Sequence, residues 1–300
     1  MEKQFEKYLL HPIERPITDA DAKVELICSK DHPVMDFFYE SCFYRHDYVI
    51  SDSLYALPYT ELFLFCSTNG KDDVLDAEVS IEINGQKLVV DKPCCIQIPA
   101  FVPHGNMEIT KVKTPVFSFV TGYGREHVAL PKENWITENV QPLEEMVSFS
   151  DYSPETDPNY NTEQHYVMKY LSGKTMKGDF PNGIFRRFHM TEGWLYVPQA
   201  HVHATPEILA YYGTDGWNPY ELSGSYTVYA GGEEYTFDKP TLCYFGAYVP
   251  HCPIDVHKLE KENFWHSLGH SVGAFNAEKT VELPNINIKD GPVELKKPWE

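Results

Sequence analysis

The segment Glu78 to Asn106 lies over Ser225 to Pro253 at one constant offset of 147 residues, and this repeat constrains the fold more than any other feature of the chain. Gly85 falls on Gly232, Asp91-Lys92-Pro93 on Asp238-Lys239-Pro240, Ala100 on Ala247, and Val102-Pro103-His104 on Val249-Pro250-His251. Upstream, Glu61 and Glu207 align at 146, one residue fewer, as a single loop insertion would produce. Two copies of one domain follow, and 300 residues give each copy enough chain to bury its own core. The acidic, proline-containing stretch Val140 to Tyr160 reads as the connector, which puts the boundary near residue 150 and the domains at 1–150 and 151–300.

Each copy reads as β structure. Val79, Ile81 and Ile83 alternate with Glu78, Ser80 and Glu82, and Asn84-Gly85 then supplies a two-residue hairpin. In the second copy Tyr226, Val228 and Ala230 alternate and Gly231-Gly232 stands at the turn. Short apolar runs at Leu62 to Phe65, Val116 to Val120, Ile208 to Tyr212 and Leu242 to Tyr248 are bounded by Gly, Pro or Asn. Many short strands at this spacing predict a barrel or sandwich in each half. Short helices are expected only in the first ten residues and over Glu163 to Lys174.

The formal charge of −19 would repel a phosphate backbone or an anionic bilayer, so no nucleic acid and no membrane is expected as a partner. No long apolar stretch and no basic start followed by an apolar run is present, and the chain reads as cytoplasmic. Seven cysteines, odd in number and without a C-x-x-C, fit reduced thiols, most of them core residues.

The chemistry concentrates in Gly193 to Gly213 and at His251. Residues two apart in a strand face the same way, so His201 and His203 project both imidazoles to one side. Glu207, beyond the Ala204-Thr205-Pro206 bend, can return a carboxylate to the same point, and His251 follows a Pro-terminated strand. Three imidazoles and one carboxylate suit one divalent transition-metal ion, Fe, Mn, Ni, Zn, Co or Cu, with coordination positions left open.

The pattern H-x-H-x-x-x-E with a downstream P-H, on a glycine-flanked β background, resembles the cupin superfamily. Gly193, His201, His203, Glu207 and Gly213 form the first motif, and Gly246, Pro250 and His251 the second. The spacing from Gly193 to His201 is longer than the family's usual form, and the closing Asn of the second motif is absent. The resemblance implies a bicupin: an all-β chain of two tandem jelly-roll β-barrels with a few short helices.

In the first copy Glu61 takes the place of Glu207 and His104 that of His251, but Leu57 and Tyr55 stand where the strand histidines would be. That barrel is expected to hold no metal, with Leu57 and Tyr55 filling the space. Two further residues are catalytic candidates. His266 shares a strand face with Phe264 and Leu268 and would line the barrel, and Tyr211 lies four residues beyond Glu207 on the same side. The expected function is a metal-dependent enzyme acting on a small polar or phenolic molecule, either as a dioxygenase or as a non-redox isomerase, lyase or decarboxylase. The alternative is a non-catalytic binding or sensing bicupin, and a homodimer is the expected assembly.

Overall fold

The computed structural model describes residues 3–71, 73–122, 124, 126–149, 165–168, 182–188, 193–196, 200–203, 206–269 and 280–282. The first half contributes β1 (Leu9–Leu10), β2 (Lys23–Cys28), β3 (Phe38–Tyr44), β4 (Tyr48–Tyr55), β5 (Glu61–Ser67), β6 (Glu78–Ile83), β7 (Gln86–Val90), β8 (Cys94–Ile98), β9 (His104–Thr110), β10 (Val116–Gly122) and β11 (Val147–Phe149). The second contributes β12 (His165–Met168), β13 (Asn182–Phe188), β14 (Trp194–Tyr196), β15 (His201–His203), β16 (Glu207–Gly213), β17 (Tyr226–Ala230), β18 (Glu233–Phe237), β19 (Thr241–Phe245), β20 (His251–Val256), β21 (Asn263–Gly269) and β22 (Thr280–Glu282). The chain is all-β and antiparallel, and among the described residues the only α-helix is the single turn Leu143–Met146. Within the span expected to be helical, the described residues His165–Met168 instead form β12, paired with β13; the rest of Glu163 to Lys174 lies outside the described residues.

Each half builds two facing sheets. In the first, β11-β8-β5-β10-β3-β2 packs over β4-β9-β6-β7; in the second, β1-β19-β16-β21-β13-β12 packs over β18-β17-β20-β15-β22. The turns follow the sequence. Asn84 and Gly85 both take positive φ between β6 and β7, and Gly231 and Gly232 do the same between β17 and β18, as primed hairpin turns require.

Three apolar clusters result. One fills the first barrel around Phe63, Phe65, Ile81 and Ile96, and another fills the second around Leu209, Tyr226, Ile254 and Trp265. The third lies between the barrels, where Leu62, Leu64, Phe117 and Phe119 of the first meet Ile208, Tyr212, Phe264 and Leu268 of the second. The large sheet of each half is therefore buried on both faces, which explains its near-continuous apolar runs. β1 adds to β19 of the second barrel, whereas β11 adds to β8 of the first. The first half's leading strand thus closes a sheet edge on the second barrel, and its last strand closes one on its own.

Candidate metal centre

β15 and β20 are neighbours with His201 opposite His251, and β16 crosses the facing sheet with Glu207 at its start. The approach to His251 is fixed by Tyr248 at φ +64, by a bond from the Gly231 amide to the Pro250 carbonyl (2.7 Å), and by the His251 ring itself, whose Nδ1 contacts the Val249 carbonyl at 2.9 Å. A carbonyl only accepts, so Nδ1 carries the proton and Nε2 faces inward. Nε2 lies 2.8 Å from Glu207 Oε2, while the Ser267 hydroxyl donates to Glu207 Oε1. With Nδ1 already protonated, the close approach of Nε2 to a carboxylate oxygen requires a further proton or a cation between them. Both groups are buried, the His251 ring is stacked on Phe245 at 4.6 Å, and the His201 ring lies 4.5 Å from that of His251. His203 ends β15, and its side chain lies outside the described residues.

A donor that the sequence reading assigned to the core joins this group. The ligating atoms of His201, His251 and Cys252 all lie within 4.8 Å of one another. Two consecutive strand residues ordinarily point to opposite faces, but Cys252 has φ +67, and the pairing of β20 with β17 slips between Ala230↔His251 and Val228↔Ile254. The bulge turns both side chains inward. Burial, followed by the nearby Glu207 charge, pushes the Cys252 thiol well above its usual value.

The two catalytic candidates stand elsewhere. His266 does not line the barrel. Trp265 and Asn263 face the interior and Ser267 reaches Glu207, so Phe264, His266 and Leu268 face the other barrel. His266 Nε2 lies 3.0 Å from the Tyr39 hydroxyl, itself 2.9 Å from that of Tyr212, and burial lowers the imidazole pKa to about 3. Tyr211 does face the interior, but four residues of strand place it ~13 Å from Glu207. There it packs on Tyr226 and Phe237, with burial holding its phenol well above the usual value.

The first barrel repeats the same local geometry. Phe101 takes φ +68 where Tyr248 takes +64, His104 Nδ1 lies 2.8 Å from the Val102 carbonyl, and His104 Nε2 lies 2.7 Å from Glu61 Oε2. Tyr55 occupies the vacated space and donates to Glu61 at 3.1 Å, and Leu57 is buried beside it in sequence. His127, from the loop after β10, brings a second imidazole to Glu61 Oε1 at 3.1 Å. Burial alone would raise Glu61, but the bonds from His104 and His127 hold it below the ordinary carboxylate value. Burial likewise opposes the charge on His127, and its bond to Glu61 outweighs this and raises it. Tyr55, Glu61 and His127 border a cavity of 420 Å³ that Lys23, Glu40 and Phe63 also line. Neither His127 nor Ser267 falls in the repeated motif, and no spacing in the sequence points to them.

No protein-family model matches the sequence, and no curated protein matches it. Solved structures do. AerE from Microcystis aeruginosa superposes with a TM-score of 0.50 at 12% identity, covering 86% of this chain and 98% of that one. Oxalate decarboxylase from Bacillus subtilis, a protein with Mn(II) centres, gives 0.51 at 12% identity over 92% of this chain and 77% of its own. Procruciferin, the 11S globulin of Brassica napus, gives 0.52 at 8% identity over 80% and 77%. The chain folds as a bicupin. A decarboxylase with Mn(II) centres and an 11S globulin share that fold, so function is argued from the site. The donor set fits a divalent transition metal: half-buried His201 and buried His251 and Cys252 bring two nitrogens and a sulfur together, and the His251 nitrogen also faces a carboxylate with its other nitrogen already committed.

Proposed function

We propose that this bicupin is a metal-dependent enzyme acting on a small polar or phenolic molecule in its second barrel, 151–300, with the first barrel, 1–150, free of metal. The observation that carries the reading is the convergence of His201 with His251, itself on the Glu207 carboxylate, at the place where the first barrel puts Tyr55 against the matching pair of His104 and Glu61. His201, His203, Glu207 and His251 would hold one divalent ion, which supplies Lewis acidity to a bound substrate oxygen. Val249 fixes the tautomer of His251, and Ser267 orients Glu207. Phe245 offers an aromatic wall beside His251. Dioxygenase and non-redox isomerase, lyase or decarboxylase chemistry are separated by assaying phenols, 1,3-dicarbonyls, keto sugars and carboxylic acids with and without oxygen.

A non-catalytic binding bicupin is the second reading, and one observation favours it: neither His266 nor Tyr211 reaches the centre to move a proton. Tight binding of one compound without turnover under either atmosphere would decide for it. The metal assignment is tested by elemental analysis of untagged protein, which should hold close to one ion per chain. His201→Ala with His203→Ala should empty it, and His104→Ala should leave the content unchanged. Two equivalents in the wild type would sink the restriction to the second barrel. A homodimer remains part of the reading and is checked by light scattering. No helix among the described residues is long and apolar enough to cross a membrane.

A further inference from the structure

The strand pair that carries two imidazoles also carries a sulfur. We infer that Cys252 is a ligand of the ion held at this centre, and that its sulfur makes the site select zinc, cobalt or copper over manganese. The inference rests on the metal-centre reading above and adds a donor to it.

Position is the first support. The bulge in β20 re-aims Cys252 so that its Sγ lies within 4.8 Å of the ligating nitrogens of His201 and His251. All seven cysteines are buried, yet among the described residues only Cys252 gathers with two other potential ligands in this way. The repeat supplies a second, independent support. Position 252 corresponds to Gly105 in the first barrel, where φ is +144 and an added Cβ would meet the Ser53 carbonyl oxygen at 2.1 Å. Glycine makes this turn without the cost that a side chain meets at positive φ. The second barrel nonetheless places a side chain there, at φ +67, and that side chain is a thiol beside two imidazoles. A strained residue kept where glycine would serve points to a use for its side chain.

The coordination balances without an oxidant. A metal–sulfur bond forms, the S–H bond breaks, and the proton passes to solvent. Thiolate is a soft ligand that favours zinc and copper, whereas carboxylate and water suit manganese, so a sulfur in the donor set biases the choice.

The test uses the full chain, stripped with a chelator, kept reduced and titrated anaerobically with cobalt(II). A near-ultraviolet sulfur-to-cobalt charge-transfer band should rise together with the visible d–d bands. Cys252→Ser should keep the visible bands, lose the near-ultraviolet one, and narrow the preference for zinc over manganese at least tenfold in competition. X-ray absorption on zinc-loaded wild type needs no variant and should show sulfur at about 2.3 Å from the metal. Visible bands without a charge-transfer band in the wild type, a band that survives Cys252→Ser, or a zinc shell without sulfur would overturn the thiol assignment and leave the metal centre standing. If neither cobalt nor zinc binds the wild type, the metal-centre reading itself fails, and this inference with it.

Discussion

Ser267 donates to one oxygen of Glu207 while His251 meets the other, so the carboxylate is oriented from both ends. Partners of this kind set the affinity of a metal site through the ligands they hold, and their loss typically weakens binding by about 10–100-fold. Ser267→Ala should therefore lower metal affinity by that order in a chelator-competition titration while leaving the fold intact; an unchanged affinity would remove Ser267 from the site. His266 makes a different kind of prediction. Burial lowers its folded pKa to about 3, against about 6.5 for an exposed histidine. Between those values the unfolded chain takes up a proton that the folded chain refuses, so stability present above pH 6.5 is lost as the pH falls toward 3, with a slope of up to about 1.4 kcal/mol per pH unit. His266→Gln keeps a hydrogen-bonding group for Tyr39 and cannot titrate. Urea midpoints at pH 7, 6, 5 and 4 should fall less steeply for the variant than for the wild type, and parallel lines would show that His266 is not buried neutral. The misreading of this residue has a plain cause: Phe264 and Leu268 are apolar, but so is Trp265 on the opposite face, and nothing in the sequence says which face looks into the barrel.

At the scale of elements, what could be read from the sequence depended on how local the determining contact was. The hairpins at Asn84-Gly85 and Gly231-Gly232 need only their own backbone, and Glu207 on β16 and His251 on β20, which the fold brings into contact, follow a spacing repeated in one chain. The expected helix in Glu163 to Lys174 gives way to β12 because a sheet edge at β13 was there to be covered, a tertiary contact that overrides local preference. The crossing of β1 to the second barrel was illegible for the same reason, since Leu9 pairs with Cys243 across most of the chain. Cys252 and His127 were missed because a bulge and a loop, not a strand register, bring them inward or over the cavity. The crossing of β1 also has a consequence in energy. Leu10 is 4% exposed and packs into the cluster between the barrels, while Phe5 rests against Gly231. Leu10→Ala should cost about 2–5 kcal/mol by chemical denaturation. Deleting residues 1–10 should cost more and should promote association through the uncovered edge of β19, visible as larger species in gel filtration. A deletion variant as stable and as monodisperse as the full chain would show that β1 contributes nothing.

For the molecule as a whole, the decisive fact is that the cluster between the barrels is built from both repeats. Phe117 of the first barrel is fully buried, with ring centroids 4.9 Å from Tyr212, 5.1 Å from Phe264 and 6.0 Å from Phe185, all of the second. The buried link that runs from Ser41 to Tyr212, from Tyr212 to Tyr39 and from Tyr39 to His266 adds hydrogen bonds across the same boundary. Neither barrel can unfold without exposing this surface on the other, and β1 of the first half is paired into the second barrel besides. The chain should therefore melt in one transition, with the calorimetric and van't Hoff enthalpies equal. Phe117→Ala, though it lies in the barrel outside the proposed metal centre, should shift that single transition down by an amount corresponding to about 3–5 kcal/mol. The same coupling works in reverse: an ion bound in the second barrel at a hundred times its dissociation constant adds about 2.7 kcal/mol to the stability of every element that unfolds with it. Hydrogen exchange at slow amides of β5 and β6 should then slow on metal addition, although neither strand approaches the metal centre. Two resolved transitions, with only the upper or the lower one moved by metal and only the other by Phe117→Ala, would mean that the barrels stand as independent units despite their shared core.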